Sequence, residues 1–207
     1  NKISRKLYQA ADRILVTSRP FIDYLHKVNG VPMERMAYLP QHADMAMLDM
    51  DMTADNNEVA DFMFAGNIGK GQRADVIIKA AKILGKRKDY KIHMVGDGRM
   101  REELEQIVRT EGLEENQKRD EMPKFYKMAD VLLITLRGNN EVGDTIPGKM
   151  QMYMTTGKTI LGAINGGAKE IIREAHCGSC VPAGDYEGLA KLMQAYIENP
   201  RDFDQCG

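Results

Sequence analysis

Residues 141–160 read EVGDTIPGKMQMYMTTGKTI, and the segments around them are arranged to present this stretch. Immediately before it, Val131 to Leu136 is an apolar run too long for a turn and too short for a membrane span, which reads as a buried strand. Gly138, Asn139, Asn140 and Gly143 then supply turn chemistry, and Pro147 is favoured at the first position of the helix that follows. Loop amides and a helix start therefore lie beyond the carboxyl end of a strand, with Lys149 one turn in. Such a place holds anions.

Working outward, Asp61 to Ala65 reads as another strand, DFMFA, followed by the glycine loop Gly66-Asn67-Ile68-Gly69-Lys70-Gly71. A helix comes next, with Ile77, Ala80, Ala81 and Leu84 at helical spacing. Strand, glycine loop and helix can cradle a phosphate, because glycine lets the backbone approach and the helix start favours negative charge. The pattern is neither G-x-G-x-x-G nor a Walker loop, and a plain tight turn would also satisfy it. Tyr90 to Val95 is the next strand, and Gly96-Asp97-Gly98 leads into a helix with Leu104, Ile107 and Val108 on its apolar face. Later come a short helix over Met122 to Met128, strands at Thr159 to Ala163 and Ser179 to Val181, and a helix from Gly167 to Ala175. Asp185 caps a last helix that buries Leu189, Leu192, Met193 and Tyr196. The alternation implies an α/β fold: a Rossmann-like parallel sheet with helices on both faces and ligands at its carboxyl edge. The loops carrying Lys70, Asp97 and Asp144 should meet there around one hollow able to seat a pyrophosphate.

Upstream, residues 2–10 look helical and Arg13 to Thr17 is a short strand. Ser18 and Pro20 open a helix with Phe21, Leu25 and Val28 on one face, Asn29-Gly30 closes it, and Met36 to Leu39 is a second strand. A strand, helix and strand cannot make a sheet alone, so residues 1–45 read as the tail of a preceding domain. Residues 46–59 read as a tether and residues 60–207 as the main domain.

Composition narrows the function. At 207 residues the chain allows one or two domains, and its 43% hydrophobic content supports a buried core. Basic and acidic side chains number 29 and 30, so no overall charge draws the chain toward nucleic acid. No apolar run approaches the ~20 residues of a membrane span, and no signal segment leads the chain. Three cysteines fit a reducing compartment, with cytoplasm as the default. Cys177 and Cys180 form a C-x-x-C beside His176, but without a second pair they read as buried strand residues rather than metal ligands.

Taken together, Gly157-Lys158-Thr159, the strand TILGAI, Gly166-Gly167-Ala168-Lys169-Glu170 and FAGNIGKGQRADVIIKAAKIL resemble the nucleotide-sugar half of bacterial GT-B glycosyltransferases of family 4 (group 1). The segments ADRILVTS and MAYLPQHAD resemble the last elements of the acceptor half, most of which is absent. The family carries two acids eight apart in the opening stretch. The first falls on Asp144, and the second on Met152, which cannot hydrogen-bond a ribose. The Arg and Lys that reach the donor diphosphate fall on Asn67 and Gln72. Leu113 to Pro123 lacks the strand and loop that hold the base.

The resemblance implies a retaining transferase that moves a sugar from a UDP- or GDP-linked donor to a glycan or lipid-linked acceptor in bacterial surface polysaccharide or glycolipid synthesis. It implies Asp144 and Lys149 as catalytic residues. Donor contacts would come from Gly66, Asn67, Lys70, Gln72, Gly96, Asp97, Gly98, Thr145, Ile146, Pro147 and Met152. No metal or other cofactor is implied, since fixed cations and backbone donors can stabilise a departing diphosphate. The location would be cytoplasmic, at the inner face of the membrane, and the missing N-terminal domain would leave the fragment inactive alone. Alternatives are a catalytically inactive binding module and a nucleotide-sugar epimerase of related architecture.

Overall fold

A computed structural model describes residues 2–43, 48–53, 58–111, 122–138 and 146–203. The chain opens with α1 (Lys2–Ala10), β1 (Ile14–Val16), α2 (Arg19–Asn29) and β2 (Met36–Tyr38), the two strands pairing in parallel. Val16, Leu25, Val31 and Met36 form the core of this unit. Ser18 takes the N-cap position of α2 without a side-chain cap bond, and Gly30 ends the helix in the left-handed conformation that glycine adopts without strain. Val28, expected on the buried face of α2, is 46% exposed instead. The unit docks on the rest of the molecule through the start of α2, where Ser18 and Pro20 lie against Gly167.

The main body alternates strand and helix. It contains β3 (Ala60–Ala65), α3 (Asp75–Leu84), β4 (Tyr90–Val95), α4 (Arg101–Glu111), α5 (Met122–Met128), β5 (Val131–Thr135), α6 (Lys149–Thr155), β6 (Thr159–Ala163), α7 (Gly166–Glu174), β7 (Gly178–Val181) and α8 (Tyr186–Glu198). Its five strands are all parallel, in the order β4-β3-β5-β6-β7. Near-continuous apolar sequence, VLLIT in β5 and TILGA in β6, suits strands buried on both sides.

Alternation along β3 assigns the layers. Phe62 and Phe64 pack with Ile77 of α3, Leu104 of α4 and Leu189 and Met193 of α8. Met63 and Ala65 pack with Tyr126 of α5, Met150 and Tyr153 of α6 and Ile172 of α7. Met52, from the stretch expected as a tether, is buried in this second cluster, and neighbouring Asp51 pairs with Lys127 at 3.0 Å. Ile107, expected on the apolar face of α4, is 38% exposed, leaving Leu104 as the buried contact of that helix.

The strand order reverses between β3 and β5, since β4 lies on one side and β6 and β7 on the other. Such a reversal opens a crevice at the carboxyl edge. At the opposite edge Asp61 and His93 form a buried pair at 2.7 Å, and Lys158 donates to the carbonyls of Lys127 and Ala129.

Candidate functional site

The carboxyl ends of β3 and β4 deliver two glycine-bearing loops into direct contact. Gly66 N–H donates to the Val95 carbonyl, Ile68 N–H to that of Asp97, and Met100 N–H to that of Ile68. The approach is closer than a side chain allows: a Cβ on Gly96 would collide with the Gly66 carbonyl, and one on Gly98 with that of Ile68. Both residues also have positive φ, 152° and 156°. These glycines are therefore required by a backbone-to-backbone contact, not merely by a turn. The glycine loop is held from behind by β5, where Thr135 Oγ1 donates to the Gln72 carbonyl and Arg137 N–H to that of Gly71.

Lys149 enters from the opposite layer. It is the first residue of α6, with Gly148 as N-cap; Pro147 lies ahead of the helix, its carbonyl accepting from Met150 N–H. This corrects the expectation that Pro147 opens the helix and that Lys149 stands one turn in. The Lys149 side chain reaches the ring of Phe64, with Nζ 3.7 Å from the ring centroid, and runs against Gly66. The residue as a whole is half-buried, yet its amine is shut off from solvent and has no hydrogen-bond partner among the described residues. Burial pulls its pKa down to about 7. The face of Phe64 attracts the ammonium by about 2 kcal/mol when desolvated, and the lowered pKa shows that this offsets only part of the cost.

The other expected donor contacts divide. Asn67, Lys70 and Asp97 are exposed on the two loops, with Asp97 accepting from Gly98 N–H at 2.8 Å. The Gln72 Oε1 is buried and, like the Lys149 amine, has no partner among the described residues. Ile146 is buried beside Gly167, and Met152 is half-buried against the core. Asp144 and Thr145 lie outside the described residues. Two of the three expected loops thus meet, with Lys149 against them. A cavity of about 30 Å³ with room for about one water lies beside the two loops, lined by Ile68 and Gly96 of the loops and by Ile78, Met94 and Leu104. Among the described residues no three His, Cys, Asp or Glu side chains stand together as a metal cluster. Cys177 is buried just before β7 and Cys180 is half-buried within that strand, its thiol pKa pushed up to about 12 by desolvation.

Sequence reading missed Tyr153. Its ring is fully buried against Tyr126, and its hydroxyl touches both β3 and β5. The signal was the i, i+4 spacing from Lys149, which puts both side chains on one face of α6.

The model of the family described as glycosyl transferases group 1 matches residues 60–199. The chain belongs to that family. Its architecture is similar to that of solved GT-B glycosyltransferases. Anabaena HepE, in complex with UDP and glucose, superposes with a TM-score of 0.81 at 15% identity, covering 99% of this chain and 59% of that one. A Rickettsia africae glycosyltransferase gives 0.79 at 14% identity, covering 100% and 59%. The pneumococcal O-GlcNAc transferase GtfA, in complex with UDP and GlcNAc, gives 0.74 at 14% identity, covering 98% and 42%. The chain spans about 59% of the length of the first two. No curated protein sequence matches it.

Proposed function

We propose that the chain is the donor-binding half of a retaining glycosyltransferase that takes a nucleoside-diphosphate sugar and glycosylates a glycan or lipid-linked acceptor in bacterial surface polysaccharide or glycolipid synthesis. The observation that carries this reading is the Lys149 amine, buried without an acceptor where the glycine loop meets the β3 end. A diphosphate seated there supplies the missing acceptor oxygens, and exclusion of water strengthens the pairing. When the bond from the sugar carbon to the diphosphate breaks, the electron pair stays on the phosphate oxygen. Lys149 offsets that charge, with Lys70 as a second cation and no metal needed. Asp144 and the amides of Thr145 and Ile146 orient the sugar.

The acceptor side is assigned to a preceding domain. Support comes from α1 and β1, where Ile3, Leu7 and Leu15 are 68%, 65% and 60% exposed. In this reading the reaction takes place in the cytoplasm at the inner face of the membrane, as the resemblance implies.

Calorimetric titration with UDP, GDP and uridine tests the reading. UDP or GDP should bind, Lys149→Ala should weaken that binding at least about tenfold, as for loss of a charged hydrogen bond, and uridine binding should not change. No response to either nucleotide up to millimolar overturns the reading. It would favour an inert module, the alternative motivated by Met152 standing where the family has an acid and by Leu113 to Pro123 lacking the base-holding strand and loop.

A further inference from the structure

The ladder between β3 and β5 pairs Phe62 with Val131 and Met63 with Leu132 and goes no further. By contrast, β3 and β4 stay paired from Ala60–Tyr90 to Ala65–Val95, and β5 and β6 from Val131–Thr159 to Thr135–Ala163. Continuing the β3–β5 register would place Ala65 opposite Ile134 and send the Ala65 N–H to the Leu133 carbonyl. The Tyr153 hydroxyl stands in that bond instead. It accepts from Ala65 N–H at 2.8 Å and faces the carbonyls of Leu133 at 3.3 Å and Ala65 at 3.2 Å. A phenol has one proton and free lone pairs, so a single hydroxyl satisfies both strand edges while keeping them apart.

The gap opens where the strand order reverses, immediately below Gly66. Lys149 lies one turn before Tyr153 on α6, and its side chain runs from the α6 layer to Phe64, a ring of the other layer. Tyr153 therefore fixes two things at once: the separation of β3 and β5 and the height of Lys149 over the glycine loop. The fully buried phenol stays protonated, since burial pushes its pKa well above the ordinary tyrosine range.

We propose that Tyr153 is a positioning residue for the donor diphosphate, its hydroxyl wedged into the β3–β5 ladder to hold open the crevice that Lys149 serves. The inference rests on the donor reading above. Without the hydroxyl, either the strands close or the Ala65 N–H is left buried and unpaired, and both move the Gly66 backbone. A shift of that kind acts on the diphosphate and not on the nucleoside.

The test compares wild type, Tyr153→Phe and Tyr126→Phe, each confirmed as folded by circular dichroism, by calorimetry with UDP and uridine. Tyr153→Phe should lower UDP affinity about tenfold or more, as misplacement of a positioned group does, with uridine affinity unchanged. Tyr126→Phe, which alters the neighbouring ring alone, should leave the ratio of the two affinities as in wild type. An unchanged ratio in Tyr153→Phe overturns the proposal while leaving the donor reading intact; absence of UDP binding in wild type overturns both. If Tyr153→Phe does not fold, amide exchange of the wild-type protein decides. The Ala65 amide should be slowed further by UDP and not by uridine, and indifference to UDP overturns the proposal.

Discussion

Lys149 and Lys158 both carry an amine withdrawn from solvent, and they differ in what those amines find. Lys158 donates to two backbone carbonyls at the amino edge of the sheet, with Asp130 near enough to favour its charge against the burial that lowers its pKa. It is satisfied, and its role is to tie α5 to the start of β6. Among the described residues the Lys149 amine meets a ring face and no hydrogen-bond partner, an arrangement that costs stability unless something else is gained. The consequence is measurable. Because burial depresses the Lys149 pKa in the folded protein to about 7, the unfolded chain binds more protons between there and the ordinary lysine range. Stability of the unliganded protein should therefore rise with pH across that window, Lys158 adding slope of the same sign. In Lys149→Met the rise between pH 7 and 9.5, followed by urea midpoint, should be shallower and the protein more stable at pH 7; identical slopes would place the amine in solvent. Donor affinity should run the other way. The diphosphate favours the ammonium, so UDP-glucose, whose phosphates carry no titrating proton in this range, should bind more weakly as pH rises above about 7.

At the scale of elements, the site depends on two loops that touch through their backbones. Gly96→Ala places a methyl group against the Gly66 carbonyl at a φ of 152°. The substitution should destabilise by about 2 kcal/mol or more, the range for a side chain forced into a left-handed or overpacked position. Gly71 lies in the same glycine loop with nothing within 4 Å of a built Cβ, so Gly71→Ala should be nearly neutral. Equal denaturant midpoints for the two variants would contradict the loop contact. This contrast also marks how far sequence reading reaches. Strands such as VLLIT and YKIHMV announce themselves by composition, and the helices by apolar spacing and by the Asp185 cap, whose carboxylate accepts from Gly188 N–H. The glycine loops were legible as phosphate cradles. What escaped was long-range: that β5 would end its pairing with β3 at Leu132, and that a tyrosine set among methionines would fill the gap. A Tyr at core spacing looks like packing until the strands on either side of it are known. Lys149 was legible as a cation near the site, but not its burial, which depends on Phe64 in the opposite layer.

For the whole molecule, the small N-terminal unit meets the main body at the start of α7 and, through Gln41, at Gly148. Ser18 Oγ lies 3.2 Å and Pro20 Cδ 3.6 Å from where a Cβ on Gly167 would stand, and that contact joins the start of α2 to the start of α7. Gly167→Val should wedge the two apart. Limited proteolysis should then cut within residues 2–43 faster, while thermal unfolding of the main sheet, followed by tyrosine fluorescence or hydrogen exchange of β5 and β6, changes little. Equal cleavage in both proteins would mean that the unit is anchored elsewhere.

The central seam of the sheet has a further consequence for synthesis. Strand β3 finds β4 within the next turn of structure, but its other edge is completed only by Val131 and Leu132, which leave the ribosome long afterwards. During that interval Phe62 and Met63 lack one of their two neighbouring strands. The nascent chain therefore carries a sticky, half-built edge, and chaperones or slow translation have their greatest effect on it before β5 emerges.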